Sequence, residues 1–451
     1  MARRAFLCFF CTALLAACAA MPRPPLEHGS RASGAYAWRG IGLDLARTYF
    51  PPATIRRFID VAAHYRLNVV HLHLTDNEAW RLPSRRYPRL PSAQHYTRAQ
   101  LREFAAYARK RGIVLVPEID LPAHAAAAIR AYPNLSCGSA DTLCPHAAAP
   151  FARDVIDEAM ELFSGPYVHT GGDEVSGWSP RQRAEFERAL DTRIRSAHRT
   201  MVVWDDEVDA APADAIVEVW HLGDAAKRAQ RLGHRVVAAS DGPLYFDAVQ
   251  GAAQQEPPGT RYMSTLEEVY AFSPPPKAMG VEGIIWSEHI ANELQLWYAL
   301  LPREAALGAV ANAGSEKMPW PLFRDSVLPG EFSWLLANGY AFRVPNTLMA
   351  IREPATFASV AGDPDSAVAF VRVARVRVLL RSLVPGARIL YRIAGQPLWR
   401  RYTGPVSLDA GTRIEAKTQA PDTREGPVTT LYLRSSSDTT GSRHFDDVVS
   451  P

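Results

Sequence analysis

Two carboxylic acids, Asp173 and Glu174, stand side by side in "YVHTGGDEV" (167–175), directly after two glycines. Two anions this close repel, so an adjacent pair is comfortable when one keeps its proton and the other stays ionised. General acid chemistry needs that division: one group lends a proton while another holds negative charge beside it. In a regular strand the two side chains would point to opposite faces. After glycines, a turned backbone can send both into one pocket. Further groups recur at comparable places: Asp76; Glu118, Asp120 and His124; Trp204; Trp220; Tyr245 and Asp247; Trp286 and Glu288. Carboxylates and aromatics dominate this set, with no lysine or cysteine. Flat aromatic rings pack on the C–H faces of a sugar, and acids accept its hydroxyl donors.

These residues need elements that bring them together. Short runs rich in Val, Ile and Leu predict strands at 41–45, 68–74, 113–117, 167–170, 201–204, 216–220, 236–239 and 283–286. Helical stripes fit between several of them. Ile55, Phe58, Ile59 and Ala62 share one face. Thr97 with Gln100 makes a capping box ahead of Leu101, Phe104, Ala105 and Ala108, and Gly112 stops that helix. Val155, Ile156, Ala159, Met160 and Phe163 repeat the pattern. Apolar strands alternating with helices imply a parallel sheet covered on both faces, and eight units predict an α/β fold, a (β/α)8 TIM barrel. In such a barrel the C-terminal strand ends build the site, and every residue of the set follows a strand. Singly, each tryptophan is more often core packing, Asp120 could be a helix N-cap, and His71 and His73 fit the barrel interior better than catalysis. Their joint placement carries the inference to a carbohydrate.

The chain has 451 residues, 47% of them hydrophobic, and a net charge of +3. No basic block along the sequence suggests nucleic acid or a membrane surface. The N-terminal "MARRAFLCFFCTALLAACAA" reads as a secretory signal. Its Leu15-Ala16-Ala17-Cys18 resembles a bacterial lipoprotein signal, with Cys18 lipidated. The expected organisation is a signal over 1–17, a Pro- and Ala-rich tether over 18–35, the barrel over 36–345, a small β-sandwich over 346–435 and a polar tail over 436–451. The location implied is an exported lipoprotein, outer membrane or periplasm-facing. Cys137 and Cys144, close together in an exported chain, suggest a loop disulfide, with zinc bound alongside His146 as the rival.

The segment "WRGIGLDLARTYFPPATIRRFIDVAAHYRLNVVHLHLTDNEAWRL" resembles the opening of the barrel in family 20 β-N-acetylhexosaminidases. "PEIDLPAH", "HTGGDEV", "YFD" and "GIIWSEH" are similar to its later motifs, in the same order. The resemblance covers residues 36 to about 345, and the C-terminal part is similar to the immunoglobulin-like domain that follows the barrel in some members. It implies a retaining exo-hydrolase whose nucleophile is the substrate's own 2-acetamido oxygen, with an oxazolinium intermediate and no metal or organic cofactor. Glu174 would be the acid and later the base. Asp173 would orient the acetamide. His124 would reach Glu174, with Asp120 fixing the imidazole. Trp204, Trp220 and Trp286 would wall the acetamido pocket, and Tyr245 would donate to the acetamido oxygen. Arg39 and Glu288 would clamp the sugar's 3- and 4-hydroxyls, Asp247 would lie near the 6-hydroxyl, and Asp76 would line the site.

The chain departs from the pattern at Asn77, where a second acid is common, and at Ala123, where glycine is usual. No clear tryptophan matches the aglycone platform, a place Tyr262 or Tyr270 would have to fill. Two rivals follow: a hydrolase of β-1,6-linked N-acetylglucosamine polymer, and a non-catalytic carbohydrate-binding lipoprotein.

Overall fold

The computed structural model describes residues 35–435. The signal, Cys18 and the polar tail lie outside the described residues, as does the tether up to residue 34. Eight parallel strands close into a barrel: β1 (Trp38–Asp44), β2 (Val69–His73), β3 (Val114–Glu118), β4 (Tyr167–His169), β5 (Thr200–Trp204), β6 (Ile216–Val219), β7 (Arg235–Ala238) and β8 (Gly280–Ile285), with β8 hydrogen-bonded back to β1. The largest apolar core lies outside this ring, between strands and helices.

The helices form for local reasons. α1 (Pro52–His64) starts on Pro52, whose missing N–H costs nothing there, and buries Ile55, Phe58, Ile59 and Ala62. α2 (Arg98–Arg109) has the Thr97–Gln100 capping box and buries Leu101, Phe104 and Ala108. Gly112 then takes a left-handed φ of 74°. α3 (Ala126–Ala131) and α4 (Pro145–Met160) both follow β3, and α5 (Pro180–Ser196) follows β4. The alternation breaks after β5, where Asp205–Glu207 makes only a 3-10 turn before β6. That stretch, "DDEVDAAPADA", has no apolar stripe and contains Pro212. α6 (Asp224–Arg231), α7 (Leu266–Ala271), α8 (Glu293–Leu300) and α9 (Arg303–Ala313) complete the surround.

Above an apolar layer of Trp38, Val69, Val116, Val202, Ile216 and Val237, the barrel interior is polar where further branched apolar layers are the rule. His71, His73, Glu118, His169, Glu218 and Glu282 are all buried there. Glu282 accepts the Trp38 indole N–H at 2.6 Å and meets His71 Nδ1 at 3.0 Å. Gly40 makes room for this, since a Cβ there would lie 2.1 Å from Glu282 Oε2. Burial opposes charge on His71, yet Glu118 and Glu282 outweigh it and hold the imidazole at about 10. His169 is the reverse: burial dominates, Nδ1 accepts the Gly171 N–H at 3.0 Å, and its value falls to about 3.

Residues 348–435 form an all-β region of a three-stranded and a six-stranded sheet. Val376, Val378 and Leu380 alternate with exposed Arg375, Arg377 and Arg381 along one strand. The inward set packs on Val371, Ile414, Leu431 and Leu433 of the other sheet.

Candidate active site

Asp173 and Glu174 leave β4 through Gly171 (φ 74°) and Gly172 (φ 92°). Both glycines are required. A Cβ on Gly171 would sit 1.8 Å from Asp120 Oδ1, and one on Gly172 2.6 Å from Glu207 Cγ. Glu174 itself has φ 54° and His124 φ 50°, rare values for side-chain-bearing residues. The turn aims both acids at one imidazole: His124 Nε2 lies 3.5 Å from Asp173 Oδ2 and 3.5 Å from Glu174 Oε2. The Asp173 side chain is 18% exposed and that of Glu174 66%, so the pair faces two environments.

The imidazole's other nitrogen is held by Asp76, at 3.1 Å from Nδ1. This corrects the expectation that Asp120 fixes it. Asp76 leaves β2 directly beside the His124 loop, and it is anchored there by Arg47 Nη2 at 2.7 Å and His73 Nε2 at 2.7 Å. The other nitrogen of His73 meets Glu118, which accepts the Trp204 indole N–H at 2.7 Å. A chain of hydrogen bonds thus runs from the floor of the site to His124, which stands 3.5 Å from each of the two acids. Burial alone would raise the Asp76 pKa, but bonds from His124 and His73 and the charge of Arg47 push it well below the carboxylate range. Burial works against His124 too, yet Asp120, Asp76 and Asp173 hold it at about 10.

Asp120 instead turns toward Asp173. Its Oδ1 accepts the Gly172 N–H at 3.1 Å, and its carboxyl lies close enough to Asp173 for the two charges to oppose each other. Burial and then the Asp173 charge raise Asp120 far above the usual carboxylate value. Asp173 is raised by burial to about 6 against the pull of His124.

The aromatic groups expected at the strand ends come together. Trp204, Tyr245 and Ile284 form one buried cluster on which Trp220 and Trp286 pack. Trp286 lies 6.1 Å from Trp204 and 5.9 Å from Tyr245 between ring centroids. Burial raises the Tyr245 hydroxyl, which stays a donor. Asp206, which the sequence reading passed over, joins the wall to the acid: it accepts the Trp220 indole N–H at 2.9 Å and the Glu174 backbone N–H at 3.2 Å. Its signal was its place, two residues beyond Trp204.

Arg39 does not reach the site. It lies at the N-terminal end of β1, opposite the acid pair, and donates to the carbonyls of Arg66 and Tyr36. Five residues of strand, Gly40 to Asp44, follow it before the mouth. The arginine at the mouth is Arg47, just past β1, which meets Asp44, Asp76, Glu78 and Glu288 and lies 5.4 Å over the Trp286 ring. Glu288 stands 3.7 Å from Arg47 Nε. Asp247 is buried close enough to raise Tyr245, on a loop that Arg303 clamps through the carbonyls of Phe246, Ala248 and Ser264. A shallow cleft opens there, lined by Asp247, Glu256, His289, Gln295 and Tyr298 among others.

Tyr270 cannot serve as an aglycone platform: it is buried in α7, stacks on Phe323 at 4.4 Å and donates to the Met318 carbonyl. Asn77 accepts the Ala126 N–H at 3.1 Å and so steadies the loop that carries His124. Cys137 and Cys144 form a disulfide with Cα atoms 5.0 Å apart, which leaves no thiolate for zinc beside His146.

Residues 36–312 match the model of glycosyl hydrolase family 20, catalytic domain. The chain is 32% identical over 332 residues to a β-N-acetylhexosaminidase of Cellulomonas fimi, covering 65% of this chain and 66% of that one. It is 29% identical over 331 residues to a β-hexosaminidase of Porphyromonas gingivalis, covering 60% of this chain but only 42% of the relative. Among solved structures it is similar to a family 20 exo-β-N-acetylglucosaminidase of Vibrio harveyi in complex with N-acetylglucosamine, with a TM-score of 0.65, 26% identity, and 69% of this chain and 59% of that one covered.

Proposed function

The chain belongs to glycosyl hydrolase family 20, and from that premise we propose that it removes terminal β-linked N-acetylhexosamine with retention, using the substrate's acetamide as nucleophile. The observation that carries this reading is the adjacent pair Asp173–Glu174 facing one His124 nitrogen beside the Trp204, Trp286 and Tyr245 rings. A pair of carboxyls arranged as acid and protein nucleophile would flank the scissile bond, about 5 Å apart or more, rather than share one imidazole.

In the first step the acetamido oxygen attacks the anomeric carbon, the glycosidic bond breaks, and Glu174 delivers its proton to the departing oxygen. Asp173 accepts the acetamide N–H and offsets the positive charge that grows on the oxazolinium ring; this hydrogen bond favours its ionised form. Tyr245 donates its hydroxyl to the acetamido oxygen and aligns it. In the second step Glu174 takes a proton from water as that water attacks the anomeric carbon, and the acetamide is restored. Cationic His124, fixed by Asp76, stabilises whichever acid carries charge. Arg47 and Glu288 at the rim take hydroxyls of the terminal sugar, and Asp247 takes one deeper on the Tyr245 side. Buried polar groups of this kind reject sugars that leave them unpaired.

The test is hydrolysis of an aryl N-acetyl-β-glucosaminide by the native chain and by Glu174→Gln, beside the matching β-glucoside. Turnover by the native chain, loss in the variant and little turnover of the glucoside are expected. Comparable rates on the two sugars would remove the acetamide nucleophile. Binding of the sugar without any turnover would make the protein a carbohydrate-binding module.

A further inference from the structure

Charge is unevenly shared along this chain. Residues 346–435 hold thirteen Arg and Lys against seven Asp and Glu, while the whole chain carries only +3. The fold then sorts these charges between two sheets. On the three-stranded sheet each outward arginine of the strand Arg375–Arg381 is paired: Arg375 with Asp409 at 2.9 Å, Arg377 with Glu353 at 2.8 Å, Arg381 with Asp325 at 2.5 Å.

The six-stranded sheet differs. Ile389, Tyr391 and Ile393 pack inward, so Arg388, Leu390 and Arg392 of the same strand face out. Lys417 and Arg401 stand opposite Leu390 on its two neighbouring strands, and Arg413 lies on the same face as Lys417. Two acids answer this group: Glu415 meets Arg392 and Arg413, and Glu425 meets Lys417. Arg388 and Arg401 are exposed, with no ion pair among the described residues. Above this face runs the turn from strand Arg388–Ile393 to strand Arg400–Arg401. It turns at Ala394-Gly395 and then carries Leu398, 75% exposed, and Trp399, whose ring lies on this face with Arg392 at 4.6 Å and Lys417 at 4.9 Å.

A lone exposed leucine means little. An exposed leucine next to a tryptophan that two cations cover, at the edge of a cationic face, is an arrangement that enters a headgroup layer while its charges meet lipid phosphates. We propose that the outer face of the six-stranded sheet docks on an anionic lipid surface, with Leu398 entering it and Arg388, Arg392, Arg401 and Lys417 facing the phosphates. A soluble anionic polysaccharide fits less well. It would leave the exposed leucine without a role.

The experiment is vesicle sedimentation with the chain from residue 18 onward carrying Cys18→Ser, so that no acyl group can be attached there. Vesicles are phosphatidylcholine alone, or phosphatidylcholine and phosphatidylglycerol in equal parts. Binding to the anionic vesicles only, weakened by salt, is expected. Leu398→Asp alone, and Arg388→Glu with Arg401→Glu, should each weaken it about tenfold or more, with hydrolysis of a soluble aryl glycoside unchanged as proof of folding. No preference for anionic vesicles would overturn the proposal. So would full binding by both variants. Binding to dextran sulfate that needs the arginines but not Leu398, without vesicle binding, would replace the lipid by a polyanion.

Discussion

Asp76 holds the Nδ1 side of His124 at 3.1 Å, while the Nε2 side of the same ring faces both Asp173 and Glu174. That buried carboxylate sets the ring's orientation and helps hold its charge. Asp76→Asn keeps the volume and removes the charge. The expected result is a fall in kcat of about tenfold to a hundredfold with a smaller change in KM. Steady-state kinetics on an aryl N-acetyl-β-glucosaminide measure it. The loss should be greatest with poor leaving groups, which need the proton most.

Asp173 titrates near 6 because burial disfavours its anion. Its proposed task requires the ionised form, which is present above that value and lost below it. The acidic limb of kcat/KM should thus fall as pH drops through about 6. Asp173→Asn should lower the rate about a hundredfold and erase that limb. A limb unmoved in the variant would assign it to another group.

Two arginines near β1 separate site from scaffold. Arg47→Ala should raise KM and also slow turnover, since it removes a partner of Asp76 and a cation at the rim. Arg39→Ala should leave both constants unchanged and lower stability by about 1–2 kcal/mol, the worth of its carbonyl hydrogen bonds. Kinetics together with denaturant unfolding read the two variants apart.

The barrel interior makes a paired prediction about stability. Glu118 lies between three histidines and, although burial opposes it, is held well below the ordinary carboxylate range by His73, His169 and His71. Glu118→Gln should cost about 3–5 kcal/mol by removing the buried anion that His71 and His73 share. Glu218 is raised far above that range by burial and by Glu282, so it is a neutral acid. Glu218→Gln should change stability by about 1 kcal/mol or less. The Glu118 contribution is present above its unfolded value of about 4 and lost as pH falls toward its folded one. Acid unfolding of the native chain should therefore steepen below pH of about 4, and less so in Glu118→Gln.

Much of this molecule was legible in its sequence because the signals are local. Val, Ile and Leu runs bounded by turns marked all eight barrel strands, and the Thr97–Gln100 box marked the start of α2. The glycines before Asp173 announced a turn, and its physical need is visible in the backbone: no Cβ fits at Gly171 or Gly172. What tertiary structure decided was partnership across distance. Which arginine stands at the mouth depends on where β1 begins in its pairing with β8, and that start, at Trp38, puts Arg39 at the wrong end. Which acid holds His124 depends on how the loops after β2 and β3 lie together, 48 residues apart in the chain. The barrel's polar interior joins Trp38 to Glu282 across 244 residues, and basic residues scattered among apolar ones become a single face only when strands align. Periodicity tells a residue which side of its own element it occupies; hydrogen-bonded register and loop approach choose the neighbour it meets there.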